Sequence, residues 1–252
     1  MMDTIAYWTM EDDSALGRQY LEGSPKISSL AVPMMMLCII NQIETMDGSL
    51  EDKYKKATDW AVNEILMHIK RNGTAVLENT DLDGDELSGS GGRLMNPGHS
   101  IEAGWFLLDL AVRKNRPELI ETAIQKFMIN PFNYGWDKQF GGIYYFLDVD
   151  GWSPAQLEWD MKLWWPHNEA MISFLMAYKH TKDVKYLDLF AQVFDYSYSH
   201  FVDEEFGEWF GYLDREGKVK HHFKGSVWKG CFHVPRALMM CEQMLEDLVQ
   251  RK

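Results

Sequence analysis

The stretch FGGIYYFLDVDG at residues 140–151 recurs as FGEWFGYLDREG at residues 206–217. The two copies share Phe, Gly, Leu, Asp and Gly in register, and they begin 66 residues apart. Self-similarity at a fixed period is typical of proteins built from repeated supersecondary units. The recurrence therefore indicates that this chain is made of such units.

Four helix-like motifs recur at nearly the same step. VPMMML, HSIEAG, PHNEAM and HVPRAL begin at Val32, His99, Pro166 and His233, each 67 residues after the one before. Each period contains two helical patterns, one after the repeat point and one before the next. The sequence therefore predicts a repeat of helical hairpins.

Apolar residues recur at steps of three and four along most of the chain, which is typical of amphipathic helices. Loops rich in Gly and Asp separate these segments and carry short aromatic stretches that predict β-hairpins. The predicted helices are 31–46, 51–71, 100–114, 117–129, 161–181, 184–200 and 234–250.

A closed ring of hairpins would place one helix of each pair inside and the other outside. Helix starts in equivalent register then converge on one end, so we expect His99, the turn 166–169 and His233 to line one mouth. At 67 residues per hairpin, 252 residues make fewer than four hairpins, whereas a six-hairpin ring needs about 400 residues. We expect one domain over residues 1–252, either an open stack or the C-terminal part of a ring that lacks about two hairpins.

Composition argues against several classes of function. The formal net charge of −13 disfavours nucleic acid and anionic membrane surfaces, because both select Lys and Arg patches. The apolar run LAVPMMMLCII is shorter than the roughly 20 residues that span a bilayer, and the N-terminus lacks a signal-peptide pattern. Cys38, Cys231 and Cys241 favour neither a disulfide framework nor a zinc site, so we expect a reducing compartment and a cytoplasmic protein.

The candidate chemistry centres on histidines and glutamates at the predicted mouth. His99 and Glu102 are three residues apart, so a helix brings both to one face, where a carboxylate raises the basicity of an imidazole. His233 occupies the repeat position of His99, and Glu169 comes from the equivalent motif. Two imidazoles across a pocket suit removal of a proton from one face of a carbon and its return to the other.

A purely structural role is the alternative for each of these histidines and glutamates. His99 and His233 are ordinary at helix starts, and Glu102 also suits the positive end of a helix dipole. Two histidines and a carboxylate can bind iron or zinc, but the sequence has no HExxH motif, so metal is the weaker alternative and none is expected. Arg236 suits either an anionic oxygen or a neighbouring carboxylate. The tryptophans near the repeat points suit core packing more often than ligand stacking; they are Trp105, Trp164, Trp165, Trp209 and Trp228.

Four long motifs give the chain a specific resemblance. NPGHSIEAGWFLL, MKLWWPHNEAM, EEFGEWFGYLDREGKV and KGCFHVPRALMMCEQML stand in order, and with them the chain resembles the N-acylglucosamine 2-epimerase family, also called renin-binding protein, over essentially its whole length. The resemblance implies an all-α fold, an (α/α)6 barrel that is incomplete at its N-terminus here, with short β-hairpins in the loops. It also implies interconversion of N-acetylglucosamine and N-acetylmannosamine, in amino-sugar and sialic acid metabolism.

The resemblance implies that His99 and His233 are the acid/base pair, with Glu102 and Glu169 assisting. The sugar ring opens, so that C2 becomes α to an aldehyde and its proton moves between the two histidines. The substrate-binding residues expected from the resemblance are Trp105, Trp165, Asn41 and Arg236. Asn41 stands where bacterial relatives carry a further inner-helix histidine.

No redox cofactor is required by this reaction, because no hydride moves. The resemblance implies ATP as an allosteric activator and renin as a protein partner, and we also expect an amino-sugar substrate and a homodimer. Two alternatives stay open. One is a glycoside hydrolase on the same ring, with Glu102 and Glu169 flanking a glycosidic bond. The other is a non-catalytic fragment that binds renin or oligomerises, and we expect little epimerase activity from this chain alone.

Overall fold

The computed structural model describes residues 1–17 and 22–250 of the chain, and helices dominate it. The helices are α1 (Met2–Met10), α2 (Ala31–Met46), α3 (Glu51–Met67), α4 (Pro97–Arg113), α5 (Pro117–Glu121), α6 (Asn130–Gly135), α7 (Trp164–Thr181), α8 (Val184–His200) and α9 (His233–Gln250). A π-helical segment, Thr122–Ile129, runs from α5 into α6. Short 3-10 turns lie at Ser14–Leu16, Gly48–Leu50, Arg71–Gly73 and Gly91–Arg93.

The helices form two layers. α2, α4, α7 and α9 stand side by side as an inner row, in which each helix packs against the next. The outer layer covers this row, with α3 on α2, the run from α5 to α6 on α4, and α8 on α7; α1 packs on α3. This is the hairpin repeat that the sequence predicts, and each inner helix begins close to one of the predicted repeat points.

Within the described ranges the inner row is a curved wall that does not close into a barrel. Arg236 of α9 reaches carboxylates on α4 and α7, and its charge also acts on the Cys38 thiol of α2. The four inner helices therefore face one interior. An apolar groove of about 660 Å³ lies between α8 and α9. In the described part of the chain, no helix is both long enough and apolar enough to cross a bilayer.

Short antiparallel strands in the loops determine where the inner helices begin. The described strands are β1 (Ser28–Ser29), β2 (Ile69–Lys70), β3 (Ala75–Val76), β4 (Asn79–Thr80), β5 (Leu94–Met95), β6 (Leu147–Asp148), β7 (Lys162–Leu163), β8 (Tyr212–Leu213) and β9 (Val219–His221). β1 pairs with β4, β2 with β3 and β5 with β6, while β7, β8 and β9 form a three-stranded sheet. Because β5 leads almost directly into α4 and β7 into α7, pairing in the loops fixes where those helices begin.

The predicted helix boundaries differ from the structure at identifiable places. α3 ends at Met67 instead of residue 71, because the chain reverses at Arg71 and Asn72, whose φ angles are 54° and 57°. α7 begins at Trp164 instead of residue 161, because the preceding pair of residues forms β7. The N-terminal residues, which lie outside the predicted helices, contain α1. The predicted helix 117–129 is α-helical only to Glu121 and continues as the π-helical segment.

The two repeated loops share an aspartate that precedes the repeated phenylalanine by three residues. In each loop the Asp Oδ1 atom accepts the backbone N–H groups two and three residues further on, at 2.9 and 3.3 Å for Asp137 and at 3.0 and 3.2 Å for Asp203. The other carboxylate oxygen binds a lysine, Lys162 at 3.0 Å in the first loop and Lys224 at 2.5 Å in the second. The sequence repeat therefore reflects a repeated Asx turn closed by an ion pair.

Burial distinguishes the two ion pairs. The side chain of Lys162 is 0% exposed and that of Asp137 is 2% exposed, whereas Lys224 is 23% exposed. Burial lowers the pKa of Lys162 to about 8. For Asp137, burial is outweighed by hydrogen bonds from Tyr144, a backbone amide, Lys162 and Arg215, which hold its pKa well below the usual range. The first loop therefore depends on a fully desolvated charge pair.

We expect Asp137→Asn to lower the free energy of unfolding by about 3 kcal/mol, because it removes the carboxylate that pairs directly with the buried Lys162 charge. Asp203→Asn, at the equivalent repeat position, is the matched control and is expected to cost about 1 kcal/mol, since Lys224 keeps access to water. Urea unfolding of the two variants measures the difference. Equal losses would show that burial of the first pair has no energetic consequence.

Candidate active site

The first candidate histidine lies in the first turn of α4. The Asn96 side chain caps the helix by accepting the His99 N–H at 3.1 Å, and Pro97 occupies the first helical position, where no amide is needed. This local sequence therefore starts the helix two residues before His99. The imidazole packs against Trp165 of α7, with a quarter of its side chain exposed.

His99 pairs with a carboxylate that the sequence did not indicate. Its Nδ1 atom lies 2.9 and 3.0 Å from the two carboxylate oxygens of Glu78, which is 9% exposed in the segment between β3 and β4. The predicted partner, Glu102, instead accepts a hydrogen bond from Arg236 Nη2 at 3.3 Å. The expectation that the His-x-x-Glu spacing alone makes a pair is therefore corrected, although the Glu102 charge still acts on His99.

The second candidate histidine is the first residue of α9. His233 Nδ1 lies 2.6 Å from Glu169 Oε1, and Arg236 Nη2 donates to the same oxygen at 2.5 Å. The other oxygen of Glu169 accepts the Trp105 indole N–H at 2.8 Å. Glu169 is fully buried, so these three donors replace the water that its charge would otherwise require.

Trp165 contacts both histidines. Its ring centroid is 5.0 Å from that of His99 and 5.7 Å from that of His233, with interplanar angles of 35° and 34°. Gly98 makes room for the indole, because a Cβ atom there would lie 2.6 Å from two Trp165 ring carbons and 2.9 Å from Pro166. The structure thus brings His99, His233 and Trp165 together at one end of the inner row.

Electrostatics separate the two buried glutamates. Burial, together with the neighbouring Glu169 charge, raises the pKa of Glu102 to about 8. Burial alone would also raise the pKa of Glu169, but Arg236 and the His233 hydrogen bond outweigh it and hold that pKa below its usual range. Glu169 is therefore the more readily ionised of the two carboxyl groups, and Glu102 is the more readily protonated.

The same cluster has the geometry of a metal-binding group. Glu102, Glu169 and His233 offer ligand atoms that all lie within 4.8 Å of one another. However, Arg236 Nη2 donates to both carboxylates, so a guanidinium supplies the positive charge that an ion would bring. The absence of a metal stays a prediction, with Arg236 as its physical reason.

The other predicted substrate-binding residues lie in different surroundings. Trp105 and Arg236 both contact Glu169, and the Arg236 guanidinium carbon lies 5.1 Å from the Trp105 ring centroid. Asn41 is not brought to the histidines. Its amide donates to the Phe106 carbonyl at 3.2 Å, and its oxygen accepts from Arg113 at 2.6 Å, deeper along the inner row.

A third histidine in the PHNEAM motif has a structural role. His167 is fully buried; its Nε2 atom accepts the Ile143 N–H at 2.9 Å, and its Nδ1–H donates to the Leu163 carbonyl at 2.6 Å. Burial lowers its pKa to about 3, so it stays neutral. Of the other tryptophans near the repeat points, Trp164 and Trp209 are buried and Trp228 is exposed.

We expect Gly98→Ala to displace the Trp165 ring and to lower the free energy of unfolding by about 1–3 kcal/mol, because the new methyl group overlaps the indole. Gly91→Ala is the control, since a Cβ atom there meets nothing within 4 Å. Chemical denaturation measures both. A neutral or stabilising effect of Gly98→Ala would contradict the close approach of Trp165.

We expect Glu102→Gln to stabilise the protein increasingly as pH rises from about 4.5 to about 8. The folded-state pKa of Glu102 lies above its unfolded value, so the unfolded chain releases a proton that the folded chain keeps, and stability falls across that window. A glutamine has no such proton. Thermal midpoints of the variant and the unsubstituted chain should therefore diverge with pH, and a constant difference would refute the assignment.

A family model described as N-acylglucosamine 2-epimerase (GlcNAc 2-epimerase) matches residues 27–237. Over 251 residues the chain is 53% identical to the N-acylglucosamine 2-epimerase of Homo sapiens and 52% identical to that of Rattus norvegicus. These alignments cover 100% of this chain but 59% and 60% of the two relatives. The chain therefore spans about three-fifths of the length of these curated relatives.

Solved structures agree on the fold. A crystal structure of D-mannose isomerase matches with a TM-score of 0.75 at 20% identity, covering 90% of this chain and 58% of that one. The cellobiose 2-epimerase of Spirochaeta thermophila matches with a TM-score of 0.74 at 23% identity, covering 92% and 56%. Both are (α/α)6 barrels, so the predicted fold class is confirmed. With the family model matching most of its length, the chain belongs to the N-acylglucosamine 2-epimerase family.

Proposed function

We propose that this chain carries the acid/base machinery of an isomerase that interconverts N-acetylglucosamine and N-acetylmannosamine by inverting C2. One observation supports the proposal most strongly: two imidazoles pack against the same indole, Trp165, and each donates its Nδ1–H to a buried carboxylate. A carboxylate in that position fixes the tautomer and leaves the opposite nitrogen, Nε2, as the reactive atom.

The mechanism follows from this arrangement. In the open-chain sugar, C2 is α to the aldehyde, so its proton is acidic enough for an imidazole to remove. One of His99 and His233 takes the proton from one face, and the other returns a proton to the opposite face, which inverts C2. No hydride moves, so the proposal needs no redox cofactor.

The enolate that forms between the two proton transfers carries its charge on the aldehyde oxygen. Protonated Glu102 and the Arg236 guanidinium are the nearby donors suited to that charge. Preorganised donors in a water-poor site stabilise such an oxyanion by several kcal/mol, roughly 3 kcal/mol for one donor. Trp165 and Trp105 supply flat apolar surface for the sugar. The role of Asn41 in substrate binding remains a prediction, as does activation by ATP.

A glycoside hydrolase is the rival function on this fold. It would need Glu102 and Glu169 on opposite sides of a glycosidic bond, about 5 Å apart or more. Their ligand atoms lie within 4.8 Å of one another, and Arg236 donates to both, which leaves little room for a glycosidic oxygen between them. The two histidines would also have no role in hydrolysis.

We further propose that the 252-residue chain on its own converts the sugar slowly. The inner row is open in the described ranges, and the first turn of α2 leaves an apolar side chain, Val32, 43% exposed. An open wall leaves the pocket more hydrated, and water weakens every electrostatic interaction on which the proposed chemistry depends.

The test uses these residues joined to the preceding hairpins of the human relative, with His99→Asn and His233→Asn introduced singly. Each variant is expected to lower the conversion of N-acetylglucosamine to N-acetylmannosamine by about 100-fold or more, because each removes one proton-transfer group. The rate is followed by NMR of the two sugars. Unjoined, the 252-residue chain is expected to show little conversion.

His180→Asn is the matched control, because His180 is exposed near the end of α7, far along the helix from the pocket. Its rate should equal that of the unsubstituted protein. Conversion that survives in either site variant, with an intact circular dichroism spectrum, would remove that histidine from the mechanism. Cleavage of a disaccharide without epimerisation would favour the hydrolase instead.

A further inference from the structure

Both carboxylate oxygens of Glu78 face one donor, the Nδ1–H group of His99, at 2.9 and 3.0 Å. An ionised carboxylate only accepts hydrogen bonds, so this contact places the proton of neutral His99 on Nδ1. The Nε2 lone pair is then left for a reacting group. Glu78 is therefore in a position to decide both the tautomer and the orientation of the ring.

The backbone that carries Glu78 is held from several sides. Its N–H donates to the Leu94 carbonyl at 2.8 Å, and its carbonyl accepts the Leu30 N–H at 3.0 Å. The preceding residue, Leu77, exchanges two hydrogen bonds with His68: the Leu77 N–H donates at 3.0 Å, and His68 Nδ1–H donates back to the Leu77 carbonyl at 2.8 Å. The carboxylate thus reaches His99 from a support tied to α2, the end of α3 and β5.

The groups that face His99 come from three elements. Glu78 approaches from the segment after β3, Glu102 lies on the same helix, and the uncharged Trp165 packs from α7. Tyr145, from the loop after α6, packs edge-on against Trp165, and its hydroxyl interacts electrostatically with Glu78. Burial lowers the pKa of His99, but Glu78, and then Glu102, outweigh burial and raise it.

The second histidine is held differently. Glu169 divides its two oxygens among His233, Arg236 and Trp105, so its charge is shared by three donors. In Glu78, by contrast, both oxygens converge on a single imidazole nitrogen. The two histidines are therefore chemically unequal, and the difference lies in their carboxylates.

We propose that Glu78 is the positioning residue of His99: its carboxylate holds the ring as the Nδ1–H tautomer, strengthens it as a base and aims Nε2 at the reacting carbon. The role in catalysis rests on the proposed function, whereas the tautomer and the basicity are properties of the folded chain. Glu78 itself touches no reacting atom. The nearest sequence signal is a single glutamate in the segment VLENT, which carries no recognisable motif.

The test is NMR of the histidine ring nitrogens in the ¹⁵N-labelled 252-residue chain, with His99 assigned from the loss of its signals in His99→Gln. The unsubstituted chain should show one Nδ1–H tautomer for His99. Glu78→Gln should move the His99 titration to lower pH and keep the tautomer, because an amide oxygen still accepts the hydrogen bond. Glu78→Ala should move the titration and mix the two tautomers.

Glu158→Gln is the matched control. Glu158 is an exposed carboxylate whose charge acts on Tyr145, and its removal should leave the His99 signals unchanged. The proposal is overturned if His99 carries its proton on Nε2 in the unsubstituted chain. It is equally overturned if Glu78→Gln leaves the titration of His99 where it was, or if Glu158→Gln shifts it as much.

Activity separates this proposal from the proposed function. In the protein completed with the preceding hairpins, Glu78→Gln should lower kcat by about 10-fold with little change in KM, and move the pH profile to lower pH with the His99 titration. If the completed protein does not epimerise at all while the NMR shifts occur, the proposed function fails and the positioning of His99 stands. An unshifted pH profile alongside shifted NMR titrations would remove His99 from the rate-determining step.

Discussion

The ion pair between Arg236 and Glu169 is the interaction on which the rest of the site depends. It joins α9 to α7 inside the wall, and the same guanidinium reaches Glu102 on α4. With Arg236 in place, two carboxyl groups can lie within 4.8 Å of each other in a buried setting, one with a raised pKa and one with a lowered pKa. Without that positive charge, the pKa of Glu169 would rise, and its ion pair with His233 would weaken.

Short strands and a helix cap in the loops determine where the inner helices begin. β5 and the Asn96 cap place His99 in the first turn of α4, while β7 directs the chain into α7 at Trp164. Trp165 then fits over Gly98, so that its ring contacts both imidazoles. Short loop pairings thus position side chains from three inner helices around one indole, and packing around the ring keeps them there.

The repeat in the sequence predicted most of the fold, because equivalent helix starts, apolar periodicity and turn residues are all local signals. It also predicted that His99, Glu169 and His233 lie at one mouth. The partner of His99 could not be read in the same way, since Glu78 lies in an irregular segment whose position depends on backbone pairing with distant residues. Helical spacing suggested Glu102 for that role, but spacing cannot show that Arg236 from another helix engages it first.

The most direct test of a two-base site is solvent exchange at C2 in heavy water, followed separately from each epimer in single-histidine variants of the completed protein. Because each imidazole is proposed to serve one face of C2, loss of one histidine should abolish exchange from one epimer and preserve it from the other, and the second variant should show the opposite pattern. Exchange that is lost or retained for both epimers together would contradict the account.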